Sequence, residues 1–271
     1  LHEPEERRER IMLNYIKSEL YRAAHSKELR GAFIGLLAII LFLNLTLFLM
    51  KDVEHFRYGS SSFSYSMLVS VPMMYCYVAA DVAAMLYESD RRNGTMGNSI
   101  AYGISRMQLL AGKCVVCFVA SLVMLAVALP LYIGCAELLL HATGPTTIQD
   151  MLLEVPAMSL IATGSLILAV VLLDFFENSF FSVLAWLTVM LFLPKILLFA
   201  GIVLPFGGDV LMDVAMWMPA NFIPAGTNVN MSECSTIWDT GTGMARCLIS
   251  GTAGILVFSA AGVLLLRKKD I

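Results

Sequence analysis

Two groups of residues have types and spacing that could support chemistry. Glu5 and Glu6, followed by Arg10, fit a Glu-Glu-x-x-x-Arg pattern. Such carboxylates can activate water when they lie at bilayer depth beside histidines on other membrane helices. Cys114 and Cys117 have the spacing of half a metal site. Each pattern therefore predicts a function only if the chain supplies the residues that complete it.

The completing residues are missing from the sequence. A phosphate-binding loop, Gly-x-x-x-x-Gly-Lys-Ser/Thr, does not occur, because Gly112-Lys113 precedes Cys114 and Met107 takes the place of the first glycine. No second cysteine pair or nearby histidine joins Cys114. The four histidines all lie outside the predicted spans given below; they are His2, His25, His55 and His141. The sequence therefore predicts no catalytic residue, bound metal or cofactor in this chain.

The composition indicates a membrane protein. Of the 271 residues, 58% are hydrophobic and only 14% are charged, against about 25% charged residues in a typical soluble domain. A soluble domain of this length could not bury so much apolar surface. The net charge of −3 also argues against nucleic-acid binding, which requires a basic surface.

Apolar segments of about 20 residues, the length needed to cross a bilayer, occur six times. We predict an all-α integral membrane protein in which Pro130 and Pro194 kink the third and fifth spans. The six predicted spans cover residues 31–50, 64–86, 107–136, 151–173, 179–203 and 245–266.

Lysines and arginines predict the orientation of these spans, because cytosolic loops are enriched in them. With six spans, one side receives only Lys51, Arg57 and Arg246, beside many acids that include Asp150 and Glu154. Both termini are therefore predicted to be cytosolic. The basic residues assigned to the cytosolic side are Arg7, Arg8, Arg10, Lys17, Arg22, Lys27, Arg30, Arg91, Arg92, Arg106, Arg267, Lys268 and Lys269.

Two segments outside the spans have apolar patterns of their own. Residues 1–30 carry apolar side chains at helical spacing among basic ones, which predicts an amphipathic helix on the inner membrane surface or, alternatively, a solvated helix. Residues 31–271 then form the membrane domain. Within it, residues 205–243 are too apolar for a free loop and are broken by proline and glycine, so we predict a re-entrant or interfacial segment on the outer side.

The connection at 88–106 is the most informative part of the sequence. Thr95 is a suitable N-cap for a short cytosolic helix, and Ser105 with Gln108 forms a capping box that opens the third span. Between them, apolar residues recur every four positions and predict a face that docks into a partner, the alternative being a plain loop. These residues are Met96, Ile100 and Ile104.

In this arrangement the chain resembles the six-helix permease subunit of type-2 ATP-binding cassette (ABC) exporters. The resemblance extends over the whole chain, from the interfacial helix to the outer segment. It is most specific around the connection, and it departs from the family at Met96-Gly97, where many members have a pair that favours a helix more strongly. The matching residues are Glu88, Gly94-Thr95, Ser105-Arg106 and Lys113.

The resemblance implies a complex in which this chain pairs with a second permease, identical or homologous, and with two ATPase subunits that bind ATP and Mg. It implies a bacterial plasma membrane and slightly favours a hydrophobic or antimicrobial peptide as the exported substrate. The connection would then be a coupling helix that receives the ATPase movement. The residues implicated in coupling are Glu88, Arg91, Arg92, Gly94, Thr95, Met96, Ile100, Ile104, Ser105 and Arg106.

Asp81 falls within the second predicted span and Lys195 within the fifth. A charge at mid-span costs about 2.5–3.5 kcal/mol on insertion scales, so each residue is expected to snorkel, pair or line a pathway. Two other functions remain open on the sequence: a membrane assembly protein without transport, and an intramembrane enzyme related to CAAX-type proteases. The second requires Glu5 and Glu6 at bilayer depth, whereas the sequence puts them in the N-terminal segment.

Overall fold

The computed structural model describes residues 3–93, 104–176, 178–205, 207–226, 228–229 and 233–269. Within these ranges the chain is almost entirely helical, with one short hairpin of two-residue strands. The α-helices are α1 (Glu3–His25), α2 (Lys27–Met50), α3 (Ser61–Val69), α4 (Met74–Asn93), α5 (Arg106–Leu139), α6 (Ile148–Phe175), α7 (Ser179–Leu187), α8 (Leu193–Val203), α9 (Gly208–Met216), α10 (Pro219–Gly226) and α11 (Gly241–Lys269).

Five of these elements are long and apolar enough to cross a membrane, which agrees with an all-α membrane protein. They are α2, α5, α6, α11 and the continuous segment Ser179–Val203, in which a π-helical turn, Thr188–Phe192, joins α7 to α8. The centre of the bundle is α6, because 61% of its most apolar window is buried, against at most 22% in the other four.

The predicted span at residues 64–86 is instead two helices, α3 and α4, whose axes differ by 64° across a short break. The pair counts as a sixth span only if it crosses as one bent unit. Pro72 lies in the break; proline lacks an N–H donor and disfavours helical backbone in the residue before it, which explains why the helix stops there.

Close packing between α6 and α11 forms the largest contact in the bundle. A Cβ atom added at Gly251 would lie 2.6 Å from Leu160 Cβ, and one added at Gly164 would lie 3.4 Å from the Gly254 carbonyl carbon. Only glycine permits such an approach of two helix backbones. The residue numbers rise together along the contact, so the two helices run parallel.

The bundle has two distinguishable ends. We call the N-terminal end the one that holds the starts of α2, α5 and α7 and the last turns of α4 and α6. The distal end holds the chain that follows α2 and α5, where Lys51 Nζ donates to the Leu139 carbonyl oxygen (3.1 Å). Ser105 forms the predicted capping box at the start of α5, and Thr147 forms another at the start of α6.

The segment between α8 and α11 is folded against the bundle. The Asn221 side-chain amide on α10 donates to the carbonyl oxygens of Pro194 (2.8 Å) and Ala215 (2.9 Å), and so holds α9, α10 and α8 together. The strands Asn228–Val229 and Cys234–Ser235 pair antiparallel, and a 3₁₀ turn, Ile237–Asp239, leads into α11.

Candidate functional site

The last turn of α4 is a meeting point for five other helices. It lies immediately before residues 94–103, the segment that the sequence analysis predicts to dock a partner. Four charged residues between positions 88 and 92 reach α1, α2, α5, α6 and α7 through hydrogen bonds and ion pairs. They are Glu88, Asp90, Arg91 and Arg92.

The most buried of these contacts is a group of four charges, which we call the charge quartet: Glu19 and Arg22 on α1, Asp90 on α4 and Lys113 on α5. The Lys113 ammonium contacts the carboxylates of both Glu19 and Asp90, and the Arg22 guanidinium contacts the same two. Side-chain exposure is 2–8% at all but Arg22, which is 33% exposed.

The quartet is electrically neutral, with two cations and two anions. Removing charges from water costs several kcal/mol per ion, and the loss is offset only where opposite charges and hydrogen bonds replace the water. Here each carboxylate contacts two cations, so the buried charges are matched. This pattern holds α1, α4 and α5 in one relative position, and removal of any one member would leave an unmatched buried charge.

Apolar packing beside the quartet fixes α1 on α5. Tyr15 is 6% exposed and packs with Ile104 and Leu109. A Cβ atom added at Gly112 would lie 2.6 Å from the Tyr15 ring, so only glycine lets the ring lie flat on α5. Burial, together with the nearby Glu19 carboxylate, raises the pKa of the Tyr15 hydroxyl above its usual range, so this hydroxyl stays neutral.

Arg91 attaches the end of α4 to the turn between α6 and α7. Its guanidinium donates to the carbonyl oxygens of Leu173 and Phe176 and to the Ser179 hydroxyl (3.1 Å). The last carbonyls of a helix have no partner within that helix, so Arg91 supplies the donors that α6 lacks. The Ser179 hydroxyl in turn donates to the Glu88 carboxylate (2.7 Å).

The fourth contact is weaker. Arg92 pairs with Glu28 in the first turn of α2, but their side chains are 59% and 42% exposed. Exposed pairs of this kind contribute about 0–1 kcal/mol. The contact orients the end of α4 relative to α2 rather than holding it there.

The sequence-predicted coupling residues fall into two groups. Glu88, Arg91 and Arg92 lie together at the end of α4, and Ile104, Ser105 and Arg106 lead into α5, with Ile104 buried against Tyr15. The remaining ones, which lie outside the described residues, are Gly94, Thr95, Met96 and Ile100.

Asp81 and Lys195 are not part of this site. Both are exposed on their helices, and neither has an ion-pair partner in the part of the chain that the structure describes. The helix α4 continues to Asn93, beyond the predicted span end at residue 86, so Asp81 lies about three turns before the end of its helix.

Sequence reasoning missed the charge quartet as a unit. Lys113 entered only as a family feature, and Glu19 and Asp90 were not singled out. A usable signal existed, since a lysine two turns into an apolar helix needs a buried anion. Which anion it finds depends on how α1 folds back, and spacing along the chain does not indicate that.

A second group of polar residues lies toward the distal end. The Ser64 hydroxyl on α3 donates to the Asn44 side chain on α2 (2.9 Å), and the Tyr132 hydroxyl on α5 donates to the Ser64 carbonyl oxygen. The Tyr65 hydroxyl donates to the Glu137 carboxylate (2.5 Å). These contacts tie the short helix α3 to its neighbours.

Comparison with protein-family models, with curated proteins and with solved structures finds no match to this chain. The described residues also hold no group of three or more histidine, cysteine, aspartate or glutamate side chains placed to bind a metal. The candidate site is therefore defined by its geometry: matched charges that join helices at the end of α4 and the start of α5.

Proposed function

We propose that this chain is the permease subunit of an ATP-driven exporter of the type-2 ABC kind, coupled to a separate ATPase chain. One observation carries the proposal. The residues on either side of 94–103 are bound through buried charges and Arg91 to α1, α5, α6 and α7. A force applied to this segment by a partner would reach four helices at once.

The proposal assigns an orientation and an assembly. The N-terminal end of the bundle faces the cytosol of a bacterial cell, α3 and α4 cross as one bent span, and residues 205–243 form a re-entrant outer segment. Two ATPase subunits, carrying ATP and Mg, meet the segment 94–103 and its homologue in a second permease. The charge of the N-terminal segment supports this orientation, because basic residues are retained on the cytosolic side.

The export path is proposed to lie between two permeases within the lipid bilayer. An amphipathic or hydrophobic peptide is the substrate class that the apolar outer segment favours. In this mechanism the chain performs no bond chemistry. The helices that the charge quartet joins move together when ATP binding closes the ATPases.

Co-purification provides the direct test. The tagged chain is extracted from its native membranes in mild detergent, and its partners are identified by mass spectrometry. We expect a stoichiometric ATPase subunit and ATP hydrolysis by the purified complex. A partnerless particle without ATP hydrolysis would overturn the proposal.

Variants of that complex test the coupling site itself. Glu88→Gln, Arg91→Gln and Arg106→Gln should each lower substrate-stimulated ATP hydrolysis while the chain still inserts into the membrane. Arg57→Gln is the matched control, because Arg57 is an exposed arginine on the distal side of the bundle. Equal activity in all four variants would contradict the assigned site.

A further inference from the structure

Glu154 is a buried acid whose surroundings differ from those of Glu19 and Asp90 at the N-terminal end. It lies in the second turn of α6 and is 0% exposed. Neither of its carboxyl oxygens has a hydrogen-bond partner among the described residues, and it belongs to none of the ion pairs found there. Two buried oxygens thus face the interior of the bundle without a donor.

Two tyrosines on neighbouring helices are close enough to interact electrostatically with Glu154. Tyr75 on α4 has a buried hydroxyl that, like Glu154, finds no hydrogen-bond partner in the described ranges. Tyr132 on α5 uses its hydroxyl to donate to the Ser64 carbonyl oxygen. The groups around Glu154 on these two helices are therefore neutral at ordinary pH.

The parallel helix α11 carries a possible cation, Arg246. From the contact of Gly251 with Leu160 and Ile161, Arg246 lies at about the level of Glu154. Its guanidinium nevertheless forms no ion pair with Glu154, and instead donates to the Met216 carbonyl oxygen and stacks on aromatic rings. These rings belong to Trp217 and Phe222.

Among the described residues, the remaining elements packed on α6 also provide no counter-charge to Glu154. On α3, Tyr65 is engaged with Glu137. In the 3₁₀ turn, the Asp239 carboxylate accepts from the Thr236 amide (2.7 Å). On α7, the nearest polar contact is the Trp186 indole donating to Ser165 (3.2 Å), about three turns farther along α6.

The free-energy cost of burying a charge then determines whether Glu154 is ionised or neutral in the packed bundle. An ionised carboxylate buried with neither a cation nor a hydrogen-bond donor is so unfavourable that a protein neutralises the group instead. A neutral acid needs no extra volume and can donate one hydrogen bond to an adjacent oxygen. A proton is therefore the ligand that fits this site.

The same acid lies near the break between α3 and α4. Tyr75 is the second residue of α4, immediately after the break at which the chain turns by 64°. The tyrosine beside Glu154 is thus placed at the junction of two helices and not within a continuous one. Separation at this junction would bring water to the carboxyl group.

We propose that Glu154, flanked by Tyr75 and Tyr132 at the break between α3 and α4, is an intramembrane proton-binding site that is loaded in the packed bundle and emptied when the break opens. The carboxylic acid gives its proton to water as water enters, and takes one from water before the break closes again. This inference is independent of the proposed exporter function, because it concerns the isolated chain.

Infrared spectroscopy of the purified chain in a detergent without ester groups tests the proposal directly. A protonated carboxylic acid has a carbonyl stretching band that a carboxylate lacks. We expect this band in the wild-type protein at pH 7, its loss in Glu154→Gln, and its retention in Glu137→Gln. Glu137 is the matched control, because it is a carboxyl of the same membrane domain that does have a donor, Tyr65.

A titration of the wild-type protein keeps the test valid if a variant fails to fold. The band should decrease as the pH is raised above neutrality. Absence of the band at pH 7 in a folded wild-type protein would overturn the proposal. An unchanged band in folded Glu154→Gln would do so as well.

Discussion

Buried acids occur at both ends of this bundle, and the two ends accommodate them differently. Asp90 and Glu19 lie within contact of both Lys113 and Arg22, so their charges are matched by neighbouring side chains. Glu154 is as deeply buried, yet its oxygens find no partner among the residues that the structure describes. At the N-terminal end, ion pairs match the buried acids, whereas at the distal end no described cation pairs with Glu154.

The difference indicates what each end is able to do. Matched charges in a dry interior are costly to separate, because each would be left without its partner. They therefore suit a joint that transmits movement without coming apart. An acid neutralised by a proton changes its charge whenever water reaches it, and so suits a place that opens and closes.

The largest expected effect on stability comes from removing one member of the charge quartet. Lys113→Met should lower the free energy of unfolding by about 3–5 kcal/mol, because Glu19 and Asp90 then face each other with only Arg22 between them. Denaturant unfolding in detergent measures it. Adding Asp90→Asn should restore part of the loss, and a Lys113→Met protein as stable as wild type would contradict the quartet's role.

A smaller loss is expected from the apolar contact that supports the quartet. Gly112→Val should destabilise the protein by about 1–3 kcal/mol, since the new side chain would overlap the Tyr15 ring. Thermal unfolding and protease cleavage of α1 are the measurements. Gly134→Val on the same helix is the control, because nothing lies within 4 Å of a Cβ atom there; equal losses at both positions would show that α1 does not pack as described.

At the distal end, Glu154 should make the stability of the protein depend on pH. Raising the pH should lower wild-type stability, because the packed state holds a proton on Glu154 that the unfolded chain has already released. The slope is at most about 1.4 kcal/mol per pH unit for one proton. Glu154→Gln should remove this slope in thermal unfolding between mildly acidic and neutral pH, whereas a slope identical to wild type would place the titrating group elsewhere.

The smallest effect should come from the exposed pair at the N-terminal end. Arg92→Gln is expected to change stability by less than about 1 kcal/mol, because both side chains of the Arg92–Glu28 pair remain largely in water. Added salt should shrink even this difference. A loss of stability as large as that caused by Lys113→Met would mean that the exposed pair contributes as much as the buried charge quartet.

The sequence predicts the long helices well and the buried contacts poorly. Apolar length alone places α2, α5, α6 and α11 within a few residues of their observed ends, since that property is local. The break between α3 and α4 was missed because the residues around Pro72 are as apolar as a continuous span. A proline within a span can equally bend a helix or end it, and only its packing decides between the two.

The charged residues also show that buried contacts cannot be predicted from the sequence alone. Glu154 follows Asp150 in the sequence and was grouped with the acids of the outer side, although it lies inside its own helix. Lys113 and Asp90 are joined only because α4 and α5 pack side by side. Burial is a property of the assembled bundle, so the protonation and pairing of these groups emerge only once the helices are placed.

The junction between α1 and α2 has a further consequence. Ser26 alone separates the two helices and caps the second, accepting a hydrogen bond from the Leu29 amide (3.3 Å). At 24 residues, α2 is about 36 Å long, which exceeds the hydrocarbon thickness of about 30 Å in a typical bilayer, so the helix must tilt or extend beyond it. With so short a junction, a change in bilayer thickness that re-tilts α2 pulls directly on α1 and, through Glu19 and Arg22, on the end of α4.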